Sequence, residues 1–202
     1  IHMGMRGTTG AIEKITLVDN EIKCHVIGDA APLGFCGSGI IDAIAFLYRE
    51  KLIYDRGHFI KGEDLDNHPF KDRFKTDENN QRYFVFVRHS DNPNGKEMII
   101  TQKDVRAVQL AKAAIFTGCC LLTEKYGIKA EELKEITLAG AFGNYIDIEN
   151  AQFIGLLPEI SGVPIRSIGN GAGTGSQLFL LSQDEAKRCE TIPTITTHIE
   201  LA

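Results

Sequence analysis

The chain of 202 residues contains no tryptophan, and several motifs with well-defined chemistry are missing from it. No Gly-Lys-Ser or Gly-Lys-Thr occurs, which excludes a P-loop for nucleotide phosphates. The five cysteines include no Cys-x-x-Cys pair, so their spacing predicts neither a zinc site nor an iron–sulfur cluster within this chain. We expect them to be reduced and mostly buried thiols. The six histidines lack metal-ligand spacing, and no Ser/His/Asp or Cys/His catalytic set stands out.

The charge balance and the lack of long apolar runs narrow the range of partners. A formal net charge of −5 disfavours broad binding to nucleic acid or to a membrane surface. No apolar run approaches the roughly 18 residues of a membrane span, and the N-terminus has no signal-peptide pattern. With 43% hydrophobic residues, the composition is typical of a soluble globular protein. We therefore expect a cytoplasmic protein with no membrane or nucleic-acid partner.

The first half of the chain reads as an antiparallel start followed by helices. Two β-like runs joined at Asp19-Asn20 predict a hairpin, and an apolar helix is expected to begin near Ser38. Residues 55–95 are predicted to be a polar surface excursion with a second hairpin, which turns at 92–95. Thr101 is then in position to cap a long helix.

The second half alternates strands and helices. The long helix is expected to carry one apolar stripe and to stop at Gly127. A short buried strand, "EITLAG", leads to a helix capped by Asp147, and a strand "VPIRSIG" leads to a helix from about Ser176. A last β-like run, "PTITTHIEL", ends the chain. This order predicts one α/β domain over 1–202 with a mixed sheet flanked by helices. The predicted stripe consists of Val105, Val108, Ala111, Ile115, Cys119 and Leu122.

Three strand-to-helix transitions are rich in glycine, at Gly34–Gly39, Gly140–Gly143 and Gly169–Gly175. Each places backbone amides at a helix N-terminus, where the helix dipole favours an anion. One such turn alone is most often structural, and "NGAGTG" lacks the acidic residue of a dinucleotide fingerprint. Three of them in one α/β unit predict a phosphorylated ligand held by backbone amides.

Several side chains near these turns have two interpretations each. Ser38 could donate to a phosphate or cap its helix. Asn144 could bind a ribose or a base, although asparagine is also a common turn residue, and the same holds for Asn170. For Asp42 we favour a solvated or dipole-stabilising role over contact with a metal-bound water. Phe142 could stack on adenine, but core packing is the preferred interpretation.

A family resemblance rests on five segments in order: "GMRGTTGAIEKI", "GFCGSGIIDAIAFL", "ITQKDVRAVQLAKAAI", "LAGAFGNYIDIENAQFIGLLP" and "GNGAG". Together they resemble the C-terminal part of the reductive activators of corrinoid enzymes. The resemblance implies a ribonuclease-H-like lobe of the ASKHA type (acetate and sugar kinase, Hsc70, actin). It also implies that ATP, with Mg²⁺, drives reduction of Co(II) corrinoid to Co(I) on a partner, which is a corrinoid protein or corrinoid-dependent methyltransferase. An upstream ferredoxin-like domain would hold a 2Fe–2S cluster.

The same resemblance assigns binding residues. It places the adenosine side of the site at Gly140, Ala141, Phe142, Gly143 and Asn144, together with Gly171 and Gly173. It places the phosphate side at Gly37, Ser38 and Gly39, next to Cys36. The family's first phosphate loop, Asp-x-Gly-Thr, is absent, so the chain is expected to be chiefly the second lobe of a longer protein. ATP hydrolysis is expected of that longer protein rather than of this lobe alone.

Two other functions remain open at this point. The chain could belong to an ATPase activator of a radical dehydratase or to a small-molecule kinase. It could also be a docking domain that recognises a corrinoid protein without binding nucleotide. A homodimer is a further open alternative, and no residue is assigned a catalytic role.

Overall fold

The computed structural model describes residues 1–200, and for Ala141 the backbone alone. The described chain divides into two compact units. The first consists of Ile1–Ile115 and Ile146–Pro158, and the second of Phe116–Tyr145 and 159–200. The single domain over 1–202 therefore stays a prediction. The α-helices in the described residues are α1 (Gly37–Arg49), α2 (Glu63–Asp66), α3 (Gln102–Tyr126), α4 (Ala141–Tyr145), α5 (Ile148–Phe153), α6 (Gly171–Leu181) and α7 (Gln183–Ile195).

The first unit opens with a mixed three-stranded sheet. Strand β1 (Ala11–Val18) pairs antiparallel with β2 (Glu21–Val26) and parallel with the two-residue β3 (Gly34–Phe35). Asp19 and Asn20 both have positive φ, 51° and 63°. Two consecutive left-handed residues are the signature of a type I′ hairpin turn, whose twist matches that of the strands. The predicted first hairpin is confirmed.

A second sheet of the same unit is antiparallel. Its strands are β4 (Phe74–Thr76), β5 (Arg82–Val87) and β6 (Met98–Thr101), in that order. The turn between β5 and β6 is closed by the Gly95 amide, which donates to the Asn92 carbonyl at 2.8 Å. The predicted second hairpin is therefore present at its predicted turn.

The segment 55–95 is more than the polar surface excursion that its composition predicts. Phe59, Phe84 and Phe86 are 4%, 0% and 2% exposed and belong to the core of the first unit. The rings of Phe84 and Phe86 lie 5.0 Å apart, and Phe86 contacts Phe46 of α1 at 5.6 Å. Because β5 is apolar from 83 to 87, the middle of the strand is buried, and Phe86 packs against Phe46 of α1.

The long helix α3 begins and ends as predicted. The Thr101 hydroxyl accepts the Asp104 amide at 3.2 Å, and an Asp104 carboxylate oxygen accepts the Thr101 amide at 2.8 Å, which is a capping box. Gly127 has φ +76°, the left-handed conformation that ends a helix.

The apolar stripe predicted for α3 is buried only at its start. Val105 and Val108 are buried, whereas Ile115 and Leu122 are 40% and 59% exposed. By length and composition α3 is also apolar enough to cross a membrane. The prediction that no run approaches such a span is therefore wrong for this helix, because few charges interrupt its middle. One helix of this kind is weak evidence for a membrane segment.

The second unit holds a parallel pair of short strands, β7 (Ile136–Leu138) and β8 (Ile165–Ser167). Strand β7, predicted to be buried, is half-exposed. Helix α6 begins at Gly171, earlier than the predicted Ser176, because the side chain of Asn170 already caps its first turn.

The last β-like run is a wrong prediction. Pro193–Ile195 belongs to α7, and 196–200 contains no strand; Leu201 lies outside the described residues. The β-branched residues of the run favour a strand locally. A helix forms instead because Ser182 caps α7 by accepting the Glu185 amide at 3.3 Å.

The cysteines are free thiols in the structure, but they are less buried than predicted. Cys36 is buried, Cys120 is exposed, and Cys24, Cys119 and Cys189 are intermediate. Burial raises the pKa of the Cys24 thiol to about 12, so this thiol is protonated at neutral pH.

Candidate functional site

The glycine turns that follow β7 and β8 meet in the second unit. The two strands run parallel, with Leu138 opposite Ser167 at their carboxyl ends. Immediately beyond, the Gly140 amide donates to the Gly169 carbonyl at 2.6 Å. Ligands of α/β proteins bind at the carboxyl ends of parallel strands. Two of the three predicted glycine turns are thus joined into one surface.

Gly140 gives this surface an open side. Its φ of +102° is a conformation that residues with a side chain rarely adopt. A Cβ built on Gly140 would have no atom within 4 Å, so the space in front of the turn is empty of protein. A ligand can therefore approach the backbone closely at Gly140.

Gly143 has a different reason to be glycine. A Cβ at this position would lie 2.9 Å from the Leu138 Cβ, which is closer than real Cβ contacts. Gly143 is therefore required by the packing of α4 against β7. The predicted place of Gly143 on the adenosine side is not needed to explain why this position is a glycine.

The second turn is built around the N-terminus of α6. The Asn170 side chain accepts the Gly173 amide at 3.0 Å, and a Cβ on Gly171 would lie 3.3 Å from the Ala139 Cβ. Asn170 is thus a helix cap, which is the structural one of its two interpretations. Gly171 lies beside the residue that precedes Gly140, so the structure brings Gly171 and Gly173 to the same surface as the first turn.

Polar and aromatic side chains border the joined turns. The Ser167 hydroxyl donates to the Asn144 side-chain oxygen at 3.3 Å, and both residues are exposed. Phe142 is 50% exposed, so the preferred interpretation of core packing is wrong, and its ring is available for stacking. Sequence reasoning missed Ser167, although its position at the end of a strand before a glycine turn was a usable signal.

The predicted phosphate-side residues lie in the first unit, at the start of α1. Ser38 is 5% exposed, and its Oγ lies 3.2 Å from Cys36 Sγ. The helix cap position belongs to Cys36, so Ser38 is not the cap. A Cβ on Gly39 would lie 2.0 Å from the Ile12 carbonyl oxygen, so Gly39 lets α1 lie against β1. Packing accounts for Ser38 and Gly39, and a phosphate role for Gly37, Ser38 and Gly39 stays a prediction.

Asp42 is buried, which overturns its predicted solvated role. It is 2% exposed and accepts two hydrogen bonds, from the Ile15 amide at 3.1 Å and from the Asn150 side chain at 2.8 Å. The Asn150 side-chain oxygen in turn accepts from the Arg49 guanidinium at 2.9 Å. We call Asp42, Asn150 and Arg49 the α1–α5 network. Sequence reasoning missed Asn150 and Arg49, because Asn150 lies more than a hundred positions along the chain from both Asp42 and Arg49.

The α1–α5 network predicts a pH-dependent stability. Burial raises the pKa of Asp42, against the opposing effect of its hydrogen bonds from Asn150 and Ile15. When the pKa of a carboxyl group is higher in the folded than in the unfolded state, its protonation stabilises the folded state. This contribution is complete below the unfolded-state pKa and is lost as the pH rises through the folded-state pKa. Asp42→Asn is therefore expected to cost more unfolding free energy at about pH 4 than at about pH 7. Urea unfolding at both pH values measures this, and a cost that is smaller at the lower pH would contradict it.

Comparisons with known proteins agree with the fold. Residues 1–202 match the family described as the C-terminal domain of RACo, the ASKHA domain. The chain is 70% identical over 202 residues to the corrinoid activation enzyme RamQ of Eubacterium limosum, which covers 100% of this chain and 34% of RamQ. A solved structure, a reductive activator for corrinoid, iron-sulfur protein, superposes with a TM-score of 0.84 at 32% identity, covering 98% of this chain and 31% of that one.

A shorter match points the same way. Over 71 residues, or 33% of this chain and 13% of the relative, the sequence is 38% identical to the Co(II) methylated amine-specific corrinoid protein reductase of Methanosarcina barkeri. The chain spans about a third of the length of RamQ and of the solved reductive activator. The predicted α/β class with an ASKHA-type lobe is confirmed. The chain belongs to the family of the C-terminal ASKHA domain of RACo, the family of reductive activators that its motifs resemble.

Proposed function

We propose that this chain is the ATP-binding part of a protein that activates a corrinoid protein by driving Co(II) to Co(I). The observation that carries the nucleotide site is the hydrogen bond between Gly140 and Gly169, which joins two glycine turns at the carboxyl ends of β7 and β8. The open space in front of Gly140 supports the same site. In this proposal ATP lies against the surface formed by 140–144 and 169–173.

Each border residue has a chemical role in this proposal. The half-exposed Phe142 ring stacks on the adenine, and the exposed Asn144 amide hydrogen-bonds the base or the ribose. Asn144 is already held by Ser167, which limits the freedom that it would lose on binding. The N-terminal amides of the eleven-residue helix α6 favour a negatively charged group of the nucleotide.

The described residues form no ligand cluster of their own for Mg²⁺, so the bound nucleotide would have to hold the ion. No group of three or more His, Cys, Asp or Glu in residues 1–200 is arranged to hold a metal ion. Mg²⁺ commonly binds through phosphate oxygens and water, so the proposed Mg²⁺ would enter with ATP. The same finding means that no ligand set for a 2Fe–2S cluster exists in the described part, and no electron-transfer step is derived for this chain.

The corrinoid role is supported by the relatives. RamQ is named a corrinoid activation enzyme, and the superposed structure is named a reductive activator for a corrinoid protein. Because the chain spans a third of each, the activity of the whole protein is part of the proposal. ATP acts conformationally here, since it can shift an equilibrium only by binding one state more tightly than the other. A corrinoid-dependent methyltransferase as the partner, a homodimer and a cytoplasmic location remain predictions.

Titration of the chain with ATP tests the nucleotide site. We expect ATP to bind with Mg²⁺ present, and Phe142→Ala or Asn144→Ala to weaken binding roughly tenfold, the value of one stacked ring or one good hydrogen bond. Calorimetry measures this. Tyr126→Ala is the matched control, because Tyr126 is 80% exposed at the end of α3, away from the glycine turns in sequence. Absence of binding, or equal binding by all variants, would overturn the site.

Binding of a Co(II) corrinoid protein separates activation from docking alone. If ATP works through the proposed coupling, it should change the affinity of the chain for that partner by roughly fivefold or more. Phe142→Ala, which weakens ATP binding, should reduce this ATP effect at an ATP concentration that does not saturate the variant. An affinity that is indifferent to ATP and to Phe142→Ala would instead support the docking function without nucleotide.

A further inference from the structure

A cavity of about 580 Å³ lies in the first unit, apart from the glycine turns in the chain. Two aromatic residues, Tyr54 and Phe59, form part of its wall. Three cationic side chains, Lys61, Arg82 and Lys103, also line it, and no aspartate or glutamate does. The volume falls in the range of small-molecule sites. The cavity therefore combines an aromatic wall with one sign of charge.

Arg82 is the fixed cation of this cavity. Its Nη1 donates to the Ile60 carbonyl at 2.7 Å, and its guanidinium carbon lies 4.8 Å from the centre of the Phe74 ring. Nη2 is buried without a hydrogen-bond partner among the described residues. Burial lowers the pKa of Arg82, and no carboxylate offsets that effect. The guanidinium thus contributes a positive charge without a carboxylate partner to the cavity wall, although Nη2 itself is not exposed to a ligand.

The other two cations are also without a carboxylate. None of the ion pairs found within residues 1–200 includes Lys61, Arg82 or Lys103. Asp64 contacts the aromatic wall rather than these cations, since it accepts the Tyr54 hydroxyl at 2.6 Å. An anion supplied from outside would therefore meet three cations that have no carboxylate partner among the described residues.

The wall next to these cations is rigid. Gln102 lines the cavity, and both ends of its amide are engaged, since its oxygen accepts the Phe59 amide at 2.9 Å and its nitrogen donates to the Gly57 carbonyl at 2.7 Å. Gly57, which supplies this carbonyl, has φ +80°, a conformation that glycine adopts without strain. These two bonds hold the Gln102 side of the cavity in place without a ligand, which lowers the entropy cost of binding there.

We propose that this cavity binds a small organic anion, a molecule with an apolar or aromatic body and one phosphate or carboxylate group. The body lies against Tyr54 and Phe59, and the anionic group meets Arg82 between Lys61 and Lys103. Arginine suits this role because its planar donors match the oxygens of phosphate and carboxylate. The site is independent of the ATP site proposed above.

Titration of the chain with phenyl phosphate, benzoate and phenol tests the proposal. We expect phenyl phosphate or benzoate to bind, neutral phenol to bind much more weakly, and Arg82→Gln to lower the affinity roughly tenfold. Side-chain NMR shifts of the arginines and calorimetry report binding. Lys61→Gln and Lys103→Gln are expected to weaken it by roughly threefold each, and since both lysines are exposed, these variants should keep the fold.

Arg106→Gln is the matched control, because Arg106 is exposed on α3 and does not line the cavity. Binding of phenyl phosphate over benzoate would identify phosphate as the preferred group, and the reverse would identify carboxylate. The proposal is overturned if neither compound binds in the millimolar range. It is equally overturned if Lys61→Gln, Lys103→Gln and Arg106→Gln all leave the affinity unchanged.

Discussion

Exchanging Asp42 and Asn150 is expected to recover most of the stability that either single substitution removes. In Asp42→Asn the new side-chain NH₂ group faces the donor of either Ile15 or Asn150. In Asn150→Asp two buried carboxylates face each other. Each single substitution should cost roughly 2 kcal/mol or more of unfolding free energy. In the exchanged pair the new amide on α1 accepts from the Ile15 amide and donates to the new carboxylate on α5, which also accepts from Arg49.

Urea unfolding of the four proteins measures this double-mutant cycle. A coupling energy of about 2 kcal/mol in favour of the exchanged pair is expected for groups in direct contact. Asp147→Ala is a useful comparison, since Asp147 caps α5 through the Asn150 amide at 3.0 Å but does not join α5 to α1. It should cost about 1 kcal/mol in the parent chain. If the exchanged pair is as unstable as the sum of the singles, the network is not the one described.

Gly39→Ala is expected to destabilise the chain strongly, although it adds only one methyl group. The added Cβ would lie 2.0 Å from the Ile12 carbonyl oxygen and 2.8 Å from its carbon, and backbone atoms cannot move aside as a flexible side chain can. Helix α1 would have to leave β1, where the Cys36 amide also donates to Ile12 at 3.1 Å. The cost should be at least about 3 kcal/mol.

Gly118→Ala is the matched control, because Gly118 lies inside α3 and a Cβ there would have no atom within 4 Å. It should raise stability by up to about 1 kcal/mol, the helix propensity difference between alanine and glycine. Thermal or urea unfolding compares the two variants. A Gly39→Ala protein as stable as the parent would show that α1 does not approach β1 as closely as described.

Local chemistry made one hairpin turn and two helix caps predictable. The Asp19-Asn20 turn, the Thr101 capping box and the Asp147 cap each depend on residues within four positions, so the sequence alone specifies them. The prediction of a strand for the final β-like run was wrong because it also depended on local preference alone. Its local preference for a strand was overruled by the helix that Ser182 starts eleven residues earlier.

The sequence indicates which glycines belong to the candidate site, but not why each of these positions requires a glycine. Motif and spacing singled out both Gly140 and Gly143, but only the structure separates an open position from one packed against Leu138. Likewise the charge of Asp42 could be read from the sequence, whereas its burial depends on Asn150, far along the chain. Contacts between distant positions leave no local pattern in a single sequence.

The α1–α5 network also bears on the order in which the chain folds. Its central hydrogen bond joins residues 108 positions apart, and the first unit is completed only by Ile146–Pro158, after the chain has passed through Phe116–Tyr145. Contacts of such long sequence separation form late, because closing the loop costs entropy before the contact can repay it. During synthesis Asp42 therefore lacks its hydrogen-bond partner until Asn150 has left the ribosome.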